Sequence, residues 1–267
     1  MALYDVSRKI VLPTTGQVFS QNSVYSSGRR FDTNFHHFRV FKQKTDGAKQ
    51  YPFVYVPKGT GTTSWSTLDM NRLKEFPMAI NAGLFNGTTV TTNMPMGTLI
   101  ENGEIIQQKT YSGHTEWLLL IDNDGNLSYA EMDADASALV ARGIVSAVLG
   151  FCPLIVDYAP TVEDISNTGH YDVKGQRQII GQYGNGDYAI ITAEGRGFDN
   201  SSGWTLPEAQ AVCQELGLKF AYNLDGGGST ETVIGNRQVN TIYENTAGRA
   251  VPTYIVFNGL SVFSVPK

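Results

Sequence analysis

Residues 177–193 read Arg-Gln-Ile-Ile-Gly-Gln-Tyr-Gly-Asn-Gly-Asp-Tyr-Ala-Ile-Ile-Thr-Ala. Two apolar segments, Gln178–Gln182 and Tyr188–Thr192, flank the dipeptide Asn185-Gly186. Asn and Gly tolerate the positive φ angles of a type I′ turn, whose twist matches that of the strands it joins. The stretch therefore predicts a β-hairpin, and it is the clearest hairpin signal in the chain.

Four more dipeptides of the same kind lie between short β-type segments. They are Asp46-Gly47, Asn102-Gly103, Asp124-Gly125 and Gly235-Asn236. For the first three, the predicted pairs are Phe38–Lys42 with Tyr51–Val56, Thr98–Ile100 with Ile105–Gln107, and Trp117–Ile121 with Leu127–Ala130. Five hairpins predict a system of mostly antiparallel sheets.

Helices are predicted at three places, Ser66–Leu73, Asp135–Val148 and Leu206–Leu216. The third has the strongest signals, since Thr205 and Glu208 have the spacing of a capping box. The expected fold class is α+β, with mostly antiparallel sheets built from hairpins and a few packed helices. Residues 1–33 are polar and without clear periodicity, so we predict an N-terminal arm or adaptor there and one domain over residues 34–267.

Composition excludes several classes of protein. The 267 residues include 20 Lys and Arg against 25 Asp and Glu, a net charge of −5, and 41% are hydrophobic. A disordered chain would be less apolar and more charged. A pI near 5.4 without a basic run argues against a nucleic-acid binder.

The sequence shows no targeting signal and contains only two cysteines. Met1–Gly16 lacks the apolar region of a signal peptide, and the longest apolar run, Trp117–Ile121, is too short to span a bilayer. We therefore expect no membrane partner and a cytoplasmic or virion-associated location. Cys152 and Cys213 allow at most one disulfide, and we expect two buried thiols.

The richest stretch for chemistry is Ala221–Glu231, which reads Ala-Tyr-Asn-Leu-Asp-Gly-Gly-Gly-Ser-Thr-Glu. A strand would end at Asp225, followed by Gly226, Gly227 and Gly228 and then by Ser229 and Thr230. Three glycines in an ordered loop are costly in backbone entropy. They predict either a loop whose N–H groups approach an anion or a tight bulge where strands cross. The spacing matches neither a P-loop nor a dinucleotide fingerprint.

Other polar residues follow predicted strands. Arg177 begins one strand of the first hairpin, and Glu194 and Arg196 follow its partner, so these ends should lie side by side. Such a cluster suits a phosphate ester or forms an ordinary surface ion-pair cluster. Asn81 closes an apolar strand and either binds substrate or caps a local turn. His114 borders the substrate or is an ordinary surface histidine.

Several blocks together resemble the phosphodiester glycosidase family, named for N-acetylglucosamine-1-phosphodiester α-N-acetylglucosaminidase. Asn223-Leu-Asp-Gly-Gly-Gly-Ser-Thr is the most specific block. The others are Ala79–Phe85, Pro95–Gly97, Glu101–Gly103, Gly150–Val156, Arg177–Gly181, Ala193–Gly197, Gly203–Glu208 and Gly248–Val251. The resemblance covers residues 35–258 in order. Family members also occur in phage tail modules, which leaves a phage-encoded member open.

The resemblance implies hydrolysis of a sugar-1-phosphodiester, similar to an N-acetylglucosamine-1-phosphodiester, at the anomeric carbon. Asp225 would attack or stabilise that carbon, with Glu194 as the alternative carboxylate or the base that activates water. Arg177 and Arg196 would hold the phosphate, together with backbone N–H groups of the three glycines. The implied substrate-binding set also contains Asn81, Ser229, Thr230, Arg249 and His114.

Three positions depart from the family pattern. Gln176 and Gln178 flank Arg177 where Pro and Thr are usual, Glu194 replaces an Asp, and Glu231 replaces a neutral residue. Two other functions therefore stay open, a non-catalytic glycan or cell-wall binding module and an intracellular hydrolase of nucleotide-linked sugar signals. The expected partner is a small or polymeric sugar phosphodiester, not a nucleic-acid polymer. No metal site or cofactor is expected, and a structural or assisting divalent cation stays open as an alternative.

Overall fold

A computed structural model describes residues 23–42, 52–57, 65–86, 94–113, 115–161, 165–166, 168–235, 237–242 and 248–257. The largest sheet, here called the first sheet, is antiparallel. Its strands, in spatial order, are β1 (Ser23–Arg30), β2 (Thr33–Val40), β15 (Tyr188–Ala193), β14 (Arg177–Gln182), β16 (Phe220–Asn223), β12 (Cys152–Val156) and β13 (Ala159–Pro160).

Two five-stranded antiparallel sheets accompany it. The second sheet has the order β10 (Leu127–Glu131), β9 (Trp117–Asp122), β11 (Ile144–Leu149), β7 (Leu99–Glu101) and β8 (Glu104–Gln107). The third sheet has the order β18 (Arg237–Gln238), β17 (Thr232–Ile234), β4 (Met78–Asn81), β19 (Tyr254–Phe257) and β3 (Pro52–Tyr55). A small ribbon joins β5 (Phe85–Asn86) to β6 (Met94–Pro95). The prediction of an α+β fold of mostly antiparallel sheets is confirmed.

The hairpin of residues 177–193 forms as predicted. Gln178 pairs with Thr192 and Gln182 with Tyr188, and Gly186 in the turn has φ of 91°. The turns at Asn102-Gly103 and Asp124-Gly125 likewise join β7 to β8 and β9 to β10. In each case the glycine has positive φ, because that backbone conformation closes the turn.

One predicted hairpin is wrong. Phe38–Lys42 was expected to pair with Tyr51–Val56, but β2 pairs with β1 and β15, whereas β3 pairs with β19 in the third sheet. The predicted turn at Asp46-Gly47 lies outside the described residues. Pairing in two different sheets buries alternate side chains of each strand, and this burial outweighs a local turn preference.

Within the described residues, helices with defined bounds are α1 (Thr67–Lys74), α2 (Ala136–Ala141) and α3 (Leu206–Glu215). The first and third agree with prediction, and the capping box of α3 is present. The helix predicted over Asp135–Val148 is wrong in its second half, where β11 follows. The chain turns at Gly143, with φ of 89°, and β11 is buried between β9 and β7.

The core lies on both faces of the first sheet. Phe38, Ile180 and Tyr222 face the other two sheets. Ile179 and Ile191 face α3, so neighbouring residues of each strand alternate between two apolar layers. Both cysteines are buried, and no disulfide joins them.

The segment predicted as an N-terminal arm extends into the first sheet, because β1 pairs with β2 along its whole length. Residues 1–22 lie outside the described part of the chain, and the division at residue 33 stays a prediction. Within the described part, no helix is both long and apolar enough to cross a bilayer.

Candidate active site

Strand register brings the polar ends of several strands together. Arg177 pairs with Ala193, so Glu194 and Arg196 follow directly beside it. Ile179 pairs with Asn223, which carries Asp225 to the same end of the sheet. A cavity of about 270 Å³ opens there, and its wall consists of Leu84, Phe151, His170, Val173, Lys174, Gly175, Gln176, Arg177, Arg196, Asp225, Gly226, Gly227, Gly228 and Arg249.

The charges of this wall are mostly positive. Arg177, Arg196 and Arg249 line it, and Asp225 is its one carboxylate among the described residues. Lys174 also lines it and pairs with Glu208 at 3.1 Å. Because the whole chain carries a charge of −5, this concentration of cations is local. A positively charged cavity of this kind attracts an anionic ligand.

Arg177 is a buried cation held by backbone carbonyls. Its side chain is 4% exposed, its Nε donates to Trp204 O at 2.9 Å, and its Nη2 donates to Val173 O at 2.6 Å and to His170 O at 3.3 Å. Burial, together with the nearby charge of Arg196, lowers the pKa of Arg177 to about 10.

Among the described residues, no carboxylate lies within ion-pair distance of Arg177. A buried charge without a counter-ion is costly, and an anion bound in the cavity would remove that cost.

Asp225 is partly buried at the floor of the cavity, and its Oδ1 accepts from Gly226 N at 2.9 Å. Burial raises the pKa of Asp225 to about 6. The Ser229 hydroxyl, the Gly226 N–H and the Arg249 charge oppose that shift. Arg249 also donates to Ser229 Oγ at 3.4 Å. The effect of burial on the pKa thus exceeds the combined effect of these three groups.

Two of the three glycines are required by close packing. A Cβ on Gly226 would lie 2.8 Å from Gln176 O. Gly227 has φ of 58°, and a Cβ there would lie 3.0 Å from Arg196 Nη2. Residues Gly227–Ser229 form a 3₁₀ turn. The glycine-rich loop thus packs against the start of β14 and beside a guanidinium group that lines the cavity.

The amides of this loop serve different purposes. Gly226 N donates to Asp225, and Gly227 N donates to Gln176 O at 2.9 Å. Within the described chain, Gly228 N donates to no protein acceptor. The resemblance implies that all three amides help to hold the phosphate. In the structure, those of Gly226 and Gly227 already donate to protein acceptors.

Asn81 lies behind the loop and is fully buried. Its Nδ2 donates to Asp225 O at 2.7 Å, and its Oδ1 accepts from Glu231 N at 3.0 Å. The side chain therefore clamps both ends of the glycine-rich loop. It is absent from the cavity wall, so the observed contacts are those of a positioning residue.

Glu194 is 2% exposed and also lies outside the cavity wall. Its Oε1 lies 3.2 Å from His36 Nε2 and accepts from Thr241 N at 2.8 Å. Thr241 O accepts from Gln176 Nε2 at 2.8 Å, which links Glu194 to the segment beneath the loop. The structure does not place this carboxylate between the two arginines, because it begins a segment that turns towards β2.

The remaining sequence-predicted residues divide between the cavity and its surroundings. Ser229 contacts Arg249 at the cavity, while Thr230 is buried and its carbonyl accepts from Asn240 Nδ2 at 2.9 Å. His114 lies outside the described residues. Within those residues, no group of three or more His, Cys, Asp and Glu side chains is placed to hold a metal ion.

His170 is a cavity residue that sequence reasoning missed. Its ring packs against Phe151 with centroids 4.9 Å apart. Loss of hydration and the charge of Arg177 lower the pKa of His170, and Glu116 opposes them. The sequence feature that could have pointed to His170 is the long segment of residues 160–176 before β14, because loops of that length are often functional.

Glu231, which departs from the family pattern, has a structural role. It is 2% exposed and accepts from Thr67 N at 2.7 Å and from Leu68 N at 3.3 Å. These two N–H groups belong to the first turn of α1 and have no acceptor within the helix, so a carboxylate is favourable there. Burial raises its pKa to about 7.

Comparisons with known proteins identify the family and similar folds. The family model described as phosphodiester glycosidase matches residues 74–258. The fold is similar to that of the zebrafish N-acetylglucosamine-1-phosphodiester α-N-acetylglucosaminidase catalytic domain, auto-inhibited by its pro-peptide. That match has a TM-score of 0.69 and 18% identity and covers 89% of this chain and 82% of the other. A hypothetical protein from Synechocystis matches with a TM-score of 0.62 and 12% identity, covering 88% of this chain and 62% of that one.

A curated relative is also similar in sequence. It is the SPbeta prophage-derived uncharacterized protein YomE of Bacillus subtilis strain 168, 29% identical over 199 residues. The match covers 73% of this chain and 30% of YomE, so the chain spans about a third of that relative.

Proposed function

The chain belongs to the phosphodiester glycosidase family, and we propose that it hydrolyses a sugar-1-phosphodiester at the anomeric carbon. The observation that carries this proposal is that Asp225 and Arg177 line the same cavity. The arginine is buried without a carboxylate partner among the described residues, which suits a phosphate. The carboxyl group beside it suits a positively charged sugar carbon.

The phosphate is the leaving group in this reaction. The bond from the anomeric carbon to the phosphate oxygen breaks, and its electron pair stays on that oxygen. A phosphodiester anion is weakly basic, so the step needs little acid assistance. Arg177, Arg196 and Arg249 would stabilise the departing charge, together with the amide of Gly228.

The carboxylate of Asp225 would act on the sugar carbon. It stabilises positive charge there or forms a covalent bond that water then replaces. Water adds its oxygen to the carbon and loses a proton. His170 also lines the wall, and a lowered pKa favours its neutral form, whose free ring nitrogen would accept that proton.

Glu194 is better suited to positioning the glycine-rich loop than to taking part in the reaction. Its contacts are with His36 and Thr241, and it does not line the cavity. The link through Thr241 and Gln176 ends at Gly227, so the carboxylate would hold the glycine-rich loop in place.

The SPbeta relative supports a phage origin, and we extend the proposal to a virion-associated or cytoplasmic enzyme that needs no cofactor.

The test is a panel of UDP-N-acetylglucosamine and N-acetylglucosamine-1-phosphodiesters, with released sugar as the readout. We expect turnover by the wild type and by Asp157→Asn, an exposed carboxylate in the turn after β12. Asp225→Asn should abolish turnover while leaving the fold intact. Saturable binding of the phosphodiesters without turnover of any of them would instead indicate a binding module.

A further inference from the structure

The segment after β15 carries a cavity arginine on an unusual backbone. We call residues 195–203 the arginine loop, and its Arg196 lines the same cavity as Asp225. Arg196, Asp199 and Asn200 have φ angles of 57°, 49° and 51°, in the left-handed region that residues other than glycine rarely adopt. Three such residues in one loop carry strain, so contacts from outside the loop are needed to hold this conformation.

The base of the arginine loop packs against the segment before β14. A Cβ on Gly195 would lie 2.8 Å from Gln176 N. A Cβ on Gly203 would lie 2.6 Å from Gly175 N. Backbone hydrogen bonds also join Gly175 and Trp204 in both directions, at 3.0 and 3.3 Å. These contacts fix the two ends of the loop and leave its outer part to another element.

Asn34 of β2 contacts the outer part of the arginine loop. Its Nδ2 donates to Asp199 Oδ2 at 2.8 Å and to Asp199 O at 2.9 Å. Its backbone N–H donates to Ser201 Oγ at 2.9 Å, and its carbonyl accepts from Glu194 N at 2.9 Å. Its side-chain oxygen accepts from Arg29 Nη1 at 2.9 Å, which holds the amide group in this orientation. One residue thus joins β2 to the start and to the outer part of the loop.

The β1–β2 hairpin adds two further contacts with the arginine loop. Ser202 N donates to Asp32 O at 3.0 Å, and Arg29 Nη2 donates to Asn200 O at 3.0 Å. The hairpin precedes residue 74, where the match to the family model begins. A part of the chain outside that match therefore supports a loop that lines the cavity.

The contacts of Asn34 bear on how Arg196 would bind an anion. Fixing a guanidinium group in advance strengthens its binding of phosphate, because less conformational freedom is lost when the anion binds. We propose that Asn34 is a positioning residue, which holds the arginine loop and thereby keeps Arg196 in place for the phosphate group of the substrate. This inference rests on the proposed function for the identity of that phosphate group. Asn34 itself does not line the cavity.

The test measures affinity for inorganic phosphate, a probe that contains the group in question and cannot be turned over. In calorimetric titrations, we expect phosphate to bind the wild type and to bind Asn34→Ala about fivefold more weakly, the effect of losing one or two hydrogen bonds. Arg196→Met should bind phosphate at least about tenfold more weakly than the wild type. Because Asn34 acts through Arg196, the double variant Asn34→Ala/Arg196→Met should bind phosphate within about twofold of Arg196→Met alone.

Steady-state kinetics give a second readout. A phosphodiester is already an anion before its bond breaks, so Arg196 would hold it in the bound substrate as well as in the transition state. We therefore expect Asn34→Ala to raise KM by about fivefold and to change kcat by less.

Arg39→Met is the matched control, because Arg39 lies on the same strand at the end away from the cavity. Its Nε and Nη2 donate to Asp187 Oδ2 at 2.9 and 2.8 Å, so this variant also loses hydrogen bonds of β2. It should bind phosphate within about twofold of the wild type. Ser201→Ala removes the acceptor of the Asn34 N–H and should weaken phosphate binding, which tests the inference even where Asn34→Ala fails to fold.

Equal phosphate affinity of Asn34→Ala and Arg39→Met would overturn the inference. A further loss of about fivefold when Asn34→Ala is added to Arg196→Met would also overturn it. A wild type that binds no phosphate would overturn both the inference and the proposed function. Phosphate binding that depends on Asn34 through Arg196, without release of sugar from any phosphodiester, would support the inference and contradict the proposed function. Release of sugar with unchanged phosphate binding in Asn34→Ala would do the reverse.

Discussion

The side-chain amide of Asn81 donates to the backbone carbonyl of Asp225 at 2.7 Å. Asn81 ends a strand of the third sheet, and Asp225 follows a strand of the first sheet. The position of the cavity carboxylate thus depends on how two sheets pack. The same side chain accepts from Glu231 N, so one residue fixes both ends of the glycine-rich loop.

Replacement of Asn81 should reduce catalysis without touching the cavity wall. Asn81→Ala leaves a buried carbonyl and a buried N–H without partners, which costs about 1–3 kcal/mol for each group. We expect a lower free energy of unfolding and a fall in kcat of at least about tenfold, with a smaller change in KM. Urea unfolding and steady-state kinetics check this. An unchanged kcat in a destabilised variant would show that the clamp does not position Asp225.

The charge of Asp225 should cost stability. Its folded pKa of about 6 is above the ordinary value of 3.8, so the folded state holds a proton that the unfolded state has lost. Stability therefore falls as the pH rises from about 4 to about 6, and the loss persists above that range. Asp225→Asn should raise the free energy of unfolding at pH 7.5 by about 3 kcal/mol, since the pKa rises by about two units and each is about 1.4 kcal/mol. Urea unfolding at pH 7.5 and pH 4 should show most of this gain only at pH 7.5.

The pH profile of kcat/KM should reveal the same group. If the ionised Asp225 is required, activity rises with an apparent pKa of about 6. The charge of Arg249 opposes the effect of burial on that pKa. Arg249→Met should therefore move the acid limb to higher pH, whereas Arg142→Met, at the exposed end of α2, should leave it in place. A limb that stays unmoved in Arg249→Met would assign the titration to another group.

The glycine-rich loop should not tolerate a methyl group at its first position. Gly226→Ala places a Cβ 2.8 Å from a backbone oxygen, and overpacking of this kind costs about 1–3 kcal/mol. We expect a lower unfolding temperature and weaker phosphodiester binding. Gly169→Ala is the matched control, because no atom lies within 4 Å of its added Cβ and its φ is ordinary. Equal unfolding temperatures for the two variants would contradict the close approach of the loop to β14.

Replacing Glu194 tests whether this residue only positions the glycine-rich loop or takes part directly in the reaction. As a positioning residue linked through Thr241 and Gln176, it should lose part of its function in Glu194→Gln, which keeps one acceptor oxygen. We expect a fall in kcat of about tenfold or less and an unchanged acid limb in the pH profile. A loss of activity as complete as that of Asp225→Asn would show that Glu194 takes part directly in the reaction.

Local signals predicted much of the fold. The capping box at Thr205 and Glu208 and the Asn185-Gly186 turn involve residues a few positions apart, so short-range geometry decides them. The predictions of a β2–β3 hairpin and of a long second helix were wrong, because burial against distant strands outweighed the local turn and helix preferences. Ile144–Leu149 became a central strand once β9 and β7 enclosed it.

The amino-acid sequence by itself determined the hairpins at Asn102-Gly103, Asp124-Gly125 and Asn185-Gly186, the helix caps and the loop of three glycines. Each depends on backbone conformations that neighbouring residues impose. It also indicated that Arg177, Asp225 and Arg196 would meet, since paired strands end together. Only the tertiary structure decided that Asn81 and Glu194 do not line the cavity and that His170 does. The physical reason is that the side to which a strand-end side chain turns depends on which distant layer packs against it.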